Sequence, residues 1–255
     1  DVPFDIENIS CETHKAPAHV RIGWMRSVSN IQHGFAIGSF VDEVAEKAGV
    51  STAKMWLNLL GEDRIVDPKT QGFKYENYGE SYDTFPIETK RLKHVLNELM
   101  LKSGADQPAG DNEGWGISVH RSFVSYVAVA TKVKVENDKV SVLEMHSVID
   151  AGRVVNPDRV KSQQEGAMIF GLSIALMGEV TIKEGAVQQS NYHDYTVLRM
   201  HQCPKIVTHI IESTAAPGGV GEPGVPPVAA SVVNAIYHAS STRIRALPVS
   251  KHYSL

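Results

Sequence analysis

Two stretches, residues 117–135 and 139–149, are rich in Val, Ser, Tyr and Thr, and the polar cluster Glu136-Asn137-Asp138 separates them. Such runs favour extended backbone, and a short polar cluster between them predicts a hairpin turn, hence a long antiparallel ribbon. A ribbon of that length must bury at least one face, and the helical segments on either side are what can cover it. Residues 35–47 place Phe35, Ile37, Phe40, Val41, Val44 and Ala45 at helical spacing before Gly49,. Ser51 is a natural N-cap for a helix over 52–60, where Met55, Trp56, Leu59 and Leu60 make the apolar stripe and Gly61 closes the end,. A third helix is predicted from Pro86 or Ile87 to 102 on the spacing of Leu92, Val95, Leu96 and Leu99,.

Further along, 157–177 has helical character, and 179–182 with 186–189 flank Lys183-Glu184-Gly185 as a second hairpin. Residues 205–211 read as a strand and 227–238 as the last helix. Helices and antiparallel ribbons arranged in blocks, without regular strand–helix alternation, predict an α+β fold of antiparallel sheets packed with helices. The polar, tyrosine-bearing stretch 62–84 is long for a connection and reads as an ordered excursion or a lid,. A second polar, glycine-rich patch at 103–114 places a soft boundary between a helix-rich segment, 1–104, and a β-rich segment, 105–255,.

A chain of 255 residues can bury a substantial core, and its net charge of -4 comes with basic residues scattered along it,. That excludes an electrostatic footprint for nucleic acid and gives no polybasic membrane patch. The longest apolar stretch, 166–178, is too short to cross a bilayer and reads as a buried helix, so no membrane insertion is expected,. Cys11 and Cys203 are too few for a disulfide framework or an all-cysteine iron–sulfur cluster,. The start, Asp1-Val2-Pro3-Phe4, has neither an initiator Met nor a signal-peptide pattern and reads as a cut end, from processing or from a longer protein,.

The chemistry is expected at the run from Ala216 to Pro227, which sets a lone carboxylate, Glu222, among Gly219, Gly221, Gly224 and several prolines. Glycines permit backbone angles and close approaches that a Cβ forbids, and prolines fix φ, so the loop is predicted to be stiff. Glu222 is either a catalytic acid or an acid placed ahead of a helix whose dipole favours it. The run also satisfies G-x-G-x-x-G, the dinucleotide fingerprint. However, Pro223 has no amide to donate, Glu222 would repel phosphates, and no Asp or Glu follows to bind a ribose,. The 11 histidines are dispersed without zinc spacing, and no G-x-S-x-G elbow accompanies His193-Asp194-Tyr195,. Gln163-Gln164-Glu165-Gly166 opens an apolar helical stretch, Arg26 precedes the first helix, and Asp150-Ala151-Gly152 runs to Asn156-Pro157 as a structural turn.

Read in order, these segments resemble the molybdenum hydroxylases of the xanthine dehydrogenase and aldehyde oxidase family. The resemblance is carried by Gly219-Val220-Gly221-Glu222-Pro223-Gly224 with Arg243-Ile244-Arg245-Ala246-Leu247-Pro248, by Asp150 through Gln163-Gln164-Glu165-Gly166, and by Arg26 with the helices behind it. It is greatest to the C-terminal part of the large subunit of the isoquinoline 1-oxidoreductase type, through Trp24-Met25-Arg26-Ser27-Val28 and Asn191-Tyr192-His193-Asp194-Tyr195. It implies part of a molybdopterin-binding domain in which Glu222 is the catalytic base, Gln163 lines the molybdenum site, and Arg26, Gly219 and Gly221 meet the cofactor. The pterin-gripping Met-Gly-Gln-Gly loop has no counterpart here, so a chain inactive alone is implied.

In the complete enzyme the resemblance implies molybdopterin, as the cytosine dinucleotide, and hydroxylation of an aldehyde or N-heteroaromatic carbon with water-derived oxygen. Val28 stands where other branches carry a substrate-stacking aromatic. Iron–sulfur clusters would sit in a partner subunit, and the remainder of the large subunit is itself a partner. Periplasm and cytoplasm are both open. The competing reading is a non-catalytic module of the same family, kept for assembly or for docking an electron partner.

Overall fold

The computed structural model of the chain describes residues 3–17 and 19–255. Its centre is a four-stranded sheet of β3 (Glu113–Ser122), β4 (Ser125–Glu136), β5 (Lys139–Asp150) and β8 (Lys205–Ile210), in that spatial order. The first three strands are antiparallel, while β8 adds in parallel beside β5, with Met145 opposite Ile206. The expected ribbon is therefore three strands rather than two. Residues 117–135 do not run through: they turn at Phe123-Val124, both in the left-handed region at φ 50° and 55°. A two-residue hairpin needs positive φ at both positions, which normally calls for Asn-Gly, so Phe-Val gave no turn signal. The Asn137-Asp138 turn does adopt that geometry, at φ 51° and 58°.

Both faces of the sheet are buried, because alternate residues of β4 send apolar side chains each way. Val127, Val129 and Val133 meet helices α4 (Pro157–Met177) and α5 (Pro226–Ser240) through Met168, Leu172, Val228, Val232 and Ile236. Tyr126, Ala128 and Ala130 meet α2 (Thr52–Leu60) and α3 (Thr89–Ser103) through Trp56, Leu60, Leu92, Leu96 and Leu99. Each such fully buried aliphatic side chain contributes roughly 1.5–3 kcal/mol. Helix α1 (Asn30–Ala48) lies along α5 and β3, starting five residues earlier than its apolar spacing indicates.

The layers α1, α5 and β3 come unusually close. A Cβ on Gly116 would sit 2.2 Å from the Ser231 carbonyl, and one on Gly38 would sit 2.6 Å from Ala230 Cβ. The buried Asn234 amide bridges the same layers, donating to the Gly38 and Ile117 carbonyls at 3.1 and 3.3 Å. This close packing fixes the direction of α5 and hence of the loop that leads into it.

The excursion at 62–84 is ordered by short elements. Strands β1 (Ile65–Val66) and β2 (Ile87–Glu88) pair antiparallel, and 3-10 turns cover Pro68–Gln71 and Asn77–Gly79. The second expected hairpin is present but short, with β6 (Ile182–Lys183) pairing β7 (Ala186–Val187). Among the described residues no helix is long and apolar enough to cross a membrane.

Candidate active-site surface

Three segments far apart in sequence meet at one surface. The Arg26 side chain reaches from the turn before α1 to the Glu222 loop, where its Nε donates to the Gly221 carbonyl at 2.6 Å. Its Nη2 donates to both the backbone carbonyl and Oε1 of Gln163 on α4, each at 3.1 Å. Next to it, Ser27 Oγ donates to the Glu222 carbonyl at 2.7 Å. Burial pulls the Arg26 guanidinium below its ordinary value, and the nearby Glu222 carboxylate opposes that shift. Arg26 is thus the tie between the Gln163 helix and the Glu222 loop.

The loop is held on its other flank by β4 and its turn. Gly219 N–H donates to the Phe123 carbonyl at 2.9 Å, and Ser125 Oγ donates to the Gly219 carbonyl at 2.6 Å. Upstream, Gly218 N–H donates to the Ala151 carbonyl and Arg153 N–H to the Ala215 carbonyl, at 2.8 and 2.9 Å. The Asp150-Ala151-Gly152 turn is thus a support for the loop. Asp150 is itself gripped by Arg91 through two bonds of 2.7 and 2.6 Å.

None of Gly218, Gly219, Gly221 and Gly224 has positive φ, so the expectation of special backbone angles there is corrected. Close approach is what three of them provide. A Cβ on Gly218 would lie 2.4 Å from Ser125 Oγ, one on Gly219 would lie 2.9 Å from Phe123 Cβ, and one on Gly224 would lie 2.7 Å from Gln164 Oε1. Gly221 differs, since nothing lies within 4 Å of where its Cβ would be.

Among the described residues the Glu222 carboxylate makes no hydrogen bond and no ion pair; only its carbonyl is engaged, by Ser27 and by Val225 N–H. Glu222 is partly exposed. Gln163 is exposed with its Oε1 taken by Arg26, which leaves its Nε2 donor without a bond among the described residues. His193 and Asp194 belong to a separate exposed turn, where Asp194 accepts from Asn191 and Ser190 N–H and is held down to about 2. Both cysteines are free and exposed.

Residues 67–204 match the family of molybdopterin cofactor-binding domains. The chain belongs to that family. It is 35% identical over 232 residues to isoquinoline 1-oxidoreductase subunit beta of Brevundimonas diminuta, covering 90% of this chain and 27% of the relative. It is 31% identical over 232 residues to the membrane-bound aldehyde dehydrogenase (pyrroloquinoline-quinone) of Gluconacetobacter polyoxogenes, covering 90% and 29%. The solved aldehyde oxidoreductase of Desulfovibrio gigas shares the fold, with a TM-score of 0.66 over 89% of this chain and 41% of that one at 12% identity.

This molybdopterin-domain chain therefore spans less than a third of the length of these curated relatives and is homologous to part of an oxidoreductase subunit. The matched segment contains Gln163, whereas Arg26, Gly219, Gly221 and Glu222 lie outside it. Of the other residues at this surface, Ser125 was not singled out by sequence, and Ser27 and Gln164 were named only as members of motifs. A serine carries no spacing signature, and only its long-range partner reveals it.

Two features of the surface fit a flat polar cofactor. Gly166 stands exposed inside α4, where a Cβ would meet only Arg26 Nη1 at 3.9 Å. Nothing in this chain requires a glycine there, and a helix-interior glycine costs about 1 kcal/mol relative to alanine. The fully buried Gln164 amide, under Gly224, has neither its Nε2 nor its Oε1 bonded to protein among the described residues. Buried amides need partners, so one from outside the chain is called for. Gly166→Ala is accordingly expected to raise unfolding free energy by roughly 0.5–1 kcal/mol, while lowering pterin content in the complete subunit. Chemical denaturation together with pterin quantification checks both halves.

Proposed function

We propose that this chain forms one wall of the active site of a molybdenum hydroxylase large subunit that hydroxylates an aldehyde or N-heteroaromatic carbon with water-derived oxygen. The observation that carries the reading is the Arg26 tie, which brings the Gln163 helix and the Glu222 loop to one surface with the Glu222 carboxylate unengaged. A molybdenum–pterin cofactor, as the cytosine dinucleotide, supplies the activation of that oxygen and the acceptance of the electron pair.

The chain's own residues would do the following. Gln163 offers its Nε2 as a donor toward the cofactor, and Gly221 and Gly166 leave room for close approach. Arg26 and Ser27 fix the backbone on either side of Glu222. The Glu222 carboxylate takes the proton from the water-derived oxygen as it attacks carbon, a transfer that requires a positioned base. Two cysteines cannot hold an iron–sulfur cluster, so on this reading the clusters would lie outside this chain, in a small partner subunit,. The exposed apolar side chains of Ile22, Trp24 and Met25, with Trp24 at 92% exposure, support coverage of this face by the remainder of the large subunit,. The chain alone is then incomplete and inactive.

The test is cofactor content in the complete subunit. Arg26→Ala and Gln163→Ala are each expected to lower bound molybdenum and pterin several-fold, read by elemental analysis and by fluorescence of the oxidised pterin. Wild-type content in both variants would contradict the assignment, as would stoichiometric molybdenum in the purified 255-residue chain.

A further inference from the structure

We propose that Tyr78 and Phe123 form an aromatic strut that positions the Glu222 loop, which makes them positioning residues for the base assigned above. Their rings stack with centroids 4.8 Å apart and 30° between planes. The Phe123 carbonyl accepts the Gly219 N–H, and the Gly219 backbone lies so near that its Cβ would be 2.9 Å from Phe123 Cβ. From Tyr78 the contact thus runs through one side chain and one hydrogen bond to a residue three positions from Glu222.

Both members of the strut sit on strained backbone. Tyr78 has φ 61° beside Asn77 at 46°, and Phe123 has φ 50° beside the β-branched Val124 at 55°. Among the described residues the other two tight hairpins turn on Asn137-Asp138 and Glu184-Gly185, which tolerate that region far better,. Strain of this kind persists only where the surroundings over-determine it, and it concentrates at functional sites. Here the surroundings are specific. Asn77 is fully buried and donates to the Phe85 carbonyl at 3.0 Å. Its Oδ1 accepts from Arg121 Nη2 at 2.8 Å, two residues before Phe123 on the same hairpin. The Tyr78 hydroxyl reaches Asn30 Oδ1 at 3.4 Å, and Asn30 N–H returns to the Ser27 carbonyl at 3.0 Å. Because Ser27 holds the Glu222 carbonyl, the loop is clamped from both flanks by one connected set of contacts. The 62–84 excursion then has a role: it carries Tyr78 to the turn that carries the loop.

The proposal rests on Glu222 being the base, and two readouts in the complete holoenzyme separate the two ideas. The first is amide hydrogen exchange across 217–224, which reports loop opening whatever the chemistry. The second is kcat against KM. Tyr78→Leu is expected to speed exchange at Gly219 while leaving β3 and β5 protected, and to lower kcat roughly ten- to hundredfold with KM nearly unchanged, as misplacement of a catalytic group does. Tyr78→Phe keeps the stack while losing the hydroxyl contact to Asn30, and is expected to change both far less than Tyr78→Leu. Phe123→Leu, which removes the other ring of the stack while leaving the backbone carbonyl that accepts Gly219 N–H, supplies the same test if Tyr78→Leu does not fold. Unchanged Gly219 exchange in Tyr78→Leu, or in Phe123→Leu should the former not fold, would overturn the strut. Faster Gly219 exchange with unchanged kcat would keep the strut and overturn Glu222 as the base.

Discussion

Glu222→Gln in the complete molybdenum-binding subunit is expected to lower kcat by roughly 10²- to 10⁴-fold, the range a positioned general base supplies, with molybdenum content unchanged. The substitution is nearly isosteric. The contacts that shape the loop engage the carbonyls of Gly219, Gly221 and Glu222, not the carboxylate, so the backbone should keep its course. Arg26 would lose a neighbouring negative charge but none of its three hydrogen bonds. Steady-state turnover with metal analysis of the same preparation reads the result. A variant with full molybdenum and wild-type turnover would leave Glu222 as an ordinary loop acid.

The second large effect concerns stability, at the far end of α5. Asp42 on α1 has a side chain of 0% exposure and accepts from Arg243 Nη1 at 2.6 Å, Thr52 Oγ1 at 2.5 Å and, across 3.0 Å, meets His238 Nε2. Asp42→Ala leaves the Arg243 guanidinium, 7% exposed, over the Tyr237 ring and with polar contacts of 3.4 and 3.5 Å to Asn234 and Glu46, but without its close carboxylate. Removing one partner of a buried pair costs about 3–5 kcal/mol. Against a total of roughly 5–15 kcal/mol for a typical domain that is a large fraction.

Acid should act on the same group. Burial pushes the Asp42 carboxyl up, but the hydrogen bonds from His238, Thr52 and Arg243 outweigh it and hold it below its ordinary value. A depressed carboxyl contributes stability that is fully present above the unfolded value, about 3.9, and is lost as pH falls through the lower folded value. The difference in melting temperature between wild type and Asp42→Asn should therefore be full at neutral pH and narrow progressively as pH falls below about 3.9. A gap that stays constant across that range would contradict the assignment.

Much of the fold was legible because burial and local signals agree. Helices α2 and α4 begin at Thr52 and Pro157, where Ser51 and Asn156 cap them, and their apolar stripes face the sheet. The first turn of α1 was not legible, because Asn30, Gln32, His33 and Gly34 show no apolar period. It is set instead by the Asn30–His120 contact at 2.9 Å and by the approach of Gly34 to Pro226. The turn at Phe123-Val124 and the parallel pairing of β8 are likewise tertiary outcomes, invisible to local propensity. At the candidate site the sequence marked Arg26, Gln163 and Glu222 separately, and folding brings them within hydrogen-bonding reach through Arg26. The Ser27, Ser125, Tyr78 and Phe123 contacts became visible only with the chain folded, since each depends on a partner more than forty residues away.

A crystal structure of the complete subunit with its molybdenum–pterin bound tests the central claim most directly. The account predicts cofactor density against the outward face of Gln163 and Gly166, with the Glu222 carboxylate facing the metal. Density placed elsewhere, with the Arg26–Gln163–Glu222 surface turned to solvent or to a partner subunit, would contradict it.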